Sequence, residues 1–122
     1  MKRAILAAVL LAAAPAAALD EWTAADTSFQ LGVTTLLVAD WALTVDFLSR
    51  PVPGVETNAL LGPHPSRLAV SAYMAGWIVG SAAVARILSQ PWRRIWQVTI
   101  GAVEVAAVGN NLVVFGGFHG KW

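Results

Sequence analysis

The chain has no cysteine among its 122 residues. This excludes disulfide scaffolds, thiolate metal sites, cysteine nucleophiles and lipid anchoring at a cysteine. Charge is equally scarce: Asp, Glu, Lys and Arg make up 12% of the residues, against roughly 25% in an ordinary soluble domain. Hydrophobic residues make up 57%. A soluble domain this short hides only about two thirds of its unfolded surface, so it could not bury several long apolar segments and still show water a charged exterior. A lipid bilayer must do that burying. The 8 basic residues are scattered and the net charge is +1, which leaves no stripe able to neutralise a row of phosphates, and nucleic acid is excluded as a partner. The chain also lacks Gly-x-Ser-x-Gly, His-Glu-x-x-His and a phosphate-cradling glycine loop, so the common hydrolase and nucleotide signatures are missing. Its two histidines, His64 and His119, have neither His-x-x-x-His spacing nor sulfur ligands nearby. They read as solvated loop residues, and no metal or cofactor is expected.

Residues 1–18 carry a basic start at Lys2 and Arg3, an apolar run from Ala4 to Leu11, and Ala16 and Ala18 in an A-x-A pattern after Pro15. This is the plan of a secretory signal peptide cleaved after Ala18; the alternative is a retained anchor helix. Residues 19–122 then form one helical domain. Its start, with Asp20, Glu21 and Asp26, reads as a short polar lead-in on the exported side. Three stretches of membrane-spanning length follow, at 29–49, 68–88 and 95–115. At 1.5 Å rise per residue each matches a hydrocarbon core of about 30 Å. The expectation is therefore an all-α membrane bundle of three transmembrane helices in a bacterial inner membrane.

The connections support that division. Between the first two spans, Pro51, Pro53, Pro63 and Pro65 with Gly54 and Gly62 prevent a continuous helix. Between the second and third, Pro91 suits a helix start, while Trp92 and Trp96 bracket Arg93 and Arg94 in a combination common at the headgroup boundary. With the amino-terminal segment exported, Arg50, Arg67 and Lys121 fall inside and Arg86, Arg93 and Arg94 outside. That is a tie under the positive-inside rule, so the signal segment sets the orientation.

Within the spans, Asp40 and Glu104 stand near the middle of apolar runs that offer no basic residue at the same depth. A charged side chain there costs about 2.5 to 3.5 kcal/mol on insertion scales, so such residues face a bundle interior, find partners or stay protonated, and with no cation at that depth the two acids are expected to be neutral. Thr44 lies one turn from Asp40, and Asn110 and Asn111 lie about two turns from Glu104, which together make an intramembrane polar cluster. Two readings follow. The cluster is hydrogen-bonding glue in a structural or accessory subunit of a membrane assembly, or it is a proton or cation site. Asp46 and Arg50 are spaced for an i, i+4 ion pair. On the second span Ala72, Gly76 and Gly80 repeat every four residues, a small-residue face for helix packing within the chain or in a homo-oligomer. Gly101 and Gly109 on the third span mark where that face could dock.

The order Asp40-x-x-x-Thr44, Glu56-Thr57-Asn58-Ala59-Leu60-Leu61-Gly62, His64-Pro65-Ser66, Pro91-Trp92-Arg93 and Glu104 through Asn110-Asn111 resembles a family of small bacterial membrane proteins with no assigned activity. The first loop of that family reads Glu-Thr-Asn-Pro-x-Leu-Gly, and this chain has Ala59 where the family has proline. The likeness covers about residues 36–116. It implies a compact helical membrane protein in which Asp40, Thr44, Glu56, Asn58, Gly62 and Glu104 are the positions that matter, and it adds no substrate. Read physically, Glu56 and Asn58 would cap the turn that follows them, or bring an extra acid toward Asp40 and Glu104.

Overall fold

The structure, a computed structural model, describes residues 20–50 and 60–116. The signal segment, the loop residues Glu56 and Asn58, and His119 lie outside the described residues. Three helices follow in order: α1 at Ala24–Leu48, α2 at Arg67–Ile87 and α3 at Trp92–Phe115. All three are long and apolar enough to cross a membrane.

Helix α1 begins five residues before the apolar run that announces it. Thr23 accepts from the Asp26 backbone N–H through its hydroxyl, and the Asp26 carboxylate accepts from the Thr23 backbone N–H. This reciprocal capping box satisfies two donors that would otherwise be orphaned. The expected polar lead-in is thus helical from Ala24. Helix α2 starts at a simpler cap, with Ser66 accepting from the Ala69 N–H at 3.0 Å. Gly62 precedes it with φ +78°, a left-handed conformation that glycine adopts without a Cβ clash. Helix α3 starts directly after Pro91, whose peptide bond to Gln90 is cis, and ends on Gly116 at φ +70°, the common left-handed helix stop.

Helix α1 is the central element and packs on both neighbours, most extensively on α3. The core is built from Val33, Leu37 and Val45 of α1 with Val70 and Met74 of α2, flanked by Trp41, Trp77 and Ile100. Polar contacts fix the helices relative to one another. Trp41 Nε1 donates to Ser71 Oγ at 3.1 Å, and Trp96 Nε1 donates to the Ser81 carbonyl at 3.0 Å. Val79, Val105 and Val113 are exposed, as expected for apolar faces turned to lipid.

Candidate functional site

Two polar centres lie in the bundle, one at the end where the amino terminus of α1 meets the α2–α3 turn, the other midway along the helices. The first is organised around Asp26, which is fully buried. Its carboxylate accepts five hydrogen bonds, from the Thr23 N–H and hydroxyl, Gln90 Nε2, Arg93 and Arg94, all at 2.9–3.0 Å. Arg93 is 1% exposed and spends its donors on the chain itself. Its Nε donates to the carbonyls of Ala85 and Leu88, Nη1 to the Glu21 carbonyl and Asp26, and Nη2 to the Asp20 carbonyl. The guanidinium thereby closes the carboxyl end of α2 and holds the segment entering α1. Arg86 stacks on the Trp22 ring at 3.8 Å and Arg94 on Phe29 at 3.8 Å, favourable cation–π geometry.

Arg93 is sealed inside the protein because the tight α2–α3 turn aims it at α1. The signal for Asp26 was present in the sequence as Thr23-x-x-Asp26 before an apolar run. The signal for Arg93 was not, since its acceptors are carbonyls that only the tertiary fold brings together. At the opposite end of α1, Arg50 Nη2 meets Asp46 Oδ2 at 2.8 Å, the i, i+4 pair expected from their spacing.

The second centre is a partly open cavity of about 260 Å³ to which all three helices contribute. Asp40 and Thr44 line it from α1, Tyr73, Met74 and Trp77 from α2, and Glu104, Asn110 and Asn111 from α3. The five residues of the polar cluster therefore share one cavity. Asn111 Nδ2 donates to Asp40 Oδ1 at 2.7 Å, joining α1 to α3 across 71 residues of chain. Glu104 differs from Asp40. Its Oε2 is closed off from solvent and has no hydrogen-bond partner among the described residues. No basic side chain among the described residues lines the cavity.

Tyr73 is expected near the acids from its register, and what sequence reasoning missed here is Trp77 beside it. Trp77 and Tyr73 stand one turn apart on α2, with ring centroids 6.4 Å apart and planes at 72°. A helix that is apolar all round does not reveal which of its aromatics will meet the acids of two other helices.

The remaining residues singled out in the sequence stand apart from this cavity. Ala72 and Gly76 are exposed and Gly80 partly so, and a Cβ added at Gly76 or Gly80 would meet nothing within 4 Å. The small-residue face is turned outward. On α3, a Cβ at Gly101 would touch Val33 of α1 at 3.7 Å, whereas one at Gly109 would meet nothing; it is α1, not α2, that sits against Gly101. Gly62 lies in the turn before α2, and His64 is exposed.

The chain matches no protein-family model, no curated protein and no solved structure.

Proposed function

We propose that the chain is a small, non-enzymatic multi-pass protein of the bacterial inner membrane that binds a cation between Asp40 and Glu104. One observation carries this reading: Asp40 and Glu104, from two different helices, line one cavity that has no basic side chain among the described residues, and Glu104 Oε2 has no hydrogen-bond partner among them. An ionised acid at this depth is costly unless something compensates its charge. A positively charged ligand between the two carboxylates supplies that compensation.

The other reading, a structural or accessory subunit whose polar groups only fasten helices, is favoured by the Asp40–Asn111 hydrogen bond. Fastening accounts for Asp40. It leaves Glu104 Oε2 without a role, because helix glue gains only from donors and acceptors that are paired.

The test is labelling of the full chain in lipid nanodiscs with a hydrophobic carbodiimide, which modifies acids embedded in apolar surroundings, read by mass spectrometry of intact protein and peptides. The cation-site reading expects modification at Glu104, its loss in Glu104→Gln, and protection by at least one member of a panel of sodium, potassium and organic ammonium chlorides. Glue alone expects no protection by any of them. Both substitutions, Asp40→Asn and Glu104→Gln, keep the shape and the hydrogen-bonding capacity of the side chain, so the folded state is preserved for comparison.

A further inference from the structure

The cavity is large for a bare ion. A water molecule occupies about 30 Å³ of liquid, and divalent cations such as magnesium and calcium are held by close shells of oxygens at about 2.0–2.6 Å. Ligand cavities for drug-sized molecules start at about 300 Å³, so a volume of about 260 Å³ fits a smaller organic molecule. The chemistry of the walls is divided. The two acids come from α1 and α3, whereas α2 contributes Tyr73, Met74 and Trp77, with Ile100 and Val103 of α3 completing the apolar side. Acid on one side and an aromatic pair on the other is the donor set that recognises an alkylammonium, through charge and hydrogen bonds at the nitrogen and cation–π and apolar contact around it. The apolar part of that wall, which a bare inorganic ion would leave uncovered, gives an organic substituent a surface to pack on. Glu104, which lines the cavity together with Asp40, supplies a carboxylate acceptor for an N–H donor.

We infer that the ligand of the Asp40–Glu104 cavity is a small organic ammonium bearing an apolar or aromatic substituent, with Trp77 and Tyr73 as its aromatic wall. This rests on the cation-site reading above and narrows it to a chemical class. Trp77 also flanks the hydrophobic core, so its replacement needs a conservative counterpart.

The probe is phenethylammonium chloride, titrated calorimetrically into the full chain in nanodiscs, with empty nanodiscs as the blank for lipid partitioning and phenethyl alcohol as the neutral isostere. The expected result is saturable binding of the ammonium and none of the alcohol. Glu104→Gln abolishes binding, Trp77→Leu weakens it about tenfold as expected for loss of a desolvated cation–π contact, and Trp77→Phe retains most of it. Binding that survives Glu104→Gln, or is unchanged in Trp77→Leu, overturns the inference. Protection from carbodiimide by sodium or potassium without phenethylammonium binding overturns the ammonium assignment and leaves the cation site standing. Absence of both removes the two together.

Discussion

Replacing Arg93 with methionine should destabilise the folded bundle by about 3 kcal/mol, at the lower end of the range of about 3–5 kcal/mol for breaking a buried ion pair. The magnitude follows from what the side chain touches. Arg93 is 1% exposed and donates to one carboxylate and four backbone carbonyls drawn from three parts of the chain. Methionine fills a similar volume but strands the carbonyls of Ala85 and Leu88 at the end of α2. The loss stays near the lower bound because Arg94 still neutralises Asp26 at 2.9 Å. The same geometry predicts an asymmetry. Arg94 is 30% exposed and makes one hydrogen bond to the carboxylate, so Arg94→Met should cost about 1 kcal/mol, close to a solvent-screened pair. The assay is reversible unfolding in mixed detergent micelles, titrated with a denaturing detergent and followed by far-ultraviolet circular dichroism, for wild type and the two variants side by side. Raising the salt concentration should leave the Arg93 effect in place, since buried pairs are screened little. An Arg93→Met variant within about 0.5 kcal/mol of wild type, the range of an ordinary surface substitution, would refute the clamp, as would Arg94→Met costing as much as Arg93→Met.

Three further substitutions probe other parts of the account in the same unfolding assay. Leu37→Ala, at a position 1% exposed in the core, should cost about 2–5 kcal/mol by opening a cavity; near-neutrality would mean that α1 does not pack as described. Gly62→Ala places a Cβ at φ +78° and should cost about 1–2 kcal/mol through backbone strain alone, with no contact to relieve because the surrounding space is open. Asn111→Ala removes the hydrogen bond from α3 to Asp40 and should cost about 1 kcal/mol, in line with interhelical hydrogen bonds in membranes; a gain in stability would contradict the pairing.

The three helices were legible because membrane-spanning length and hydropathy are written along the chain, one residue after another. Their amino-terminal boundaries were less so. Helix α1 reaches back to Ala24 through the Thr23–Asp26 capping box, whose residues are polar and lie outside the apolar run. The acids of the candidate site stood out because a carboxylate inside an apolar span is conspicuous by itself, and Asp40, Thr44, Glu104, Asn110 and Asn111 do line one cavity. What periodicity could not supply was Trp77 beside Tyr73 on the third side of that cavity. Trp77 is one aromatic among many apolar residues of α2, and only the packing of α2 on α1 turns it toward the acids. The Asp26 clamp was hidden for a related reason: Arg93 beside tryptophans has the composition of a headgroup anchor, and its burial depends on a turn that folds α3 back beside the start of α1. Local pattern identifies what a helix can offer, and the tertiary fold decides which of those offers meet.

The central claim, that Asp40 and Glu104 form a cation site and not merely a fastening between helices, is tested most directly by carbodiimide modification of the full chain in nanodiscs, with and without added cations. The account predicts labelling at Glu104 that disappears in Glu104→Gln and is suppressed when a cation occupies the cavity. Labelling of Glu104 that no cation suppresses, or an unreactive Glu104 in the folded chain, would contradict it.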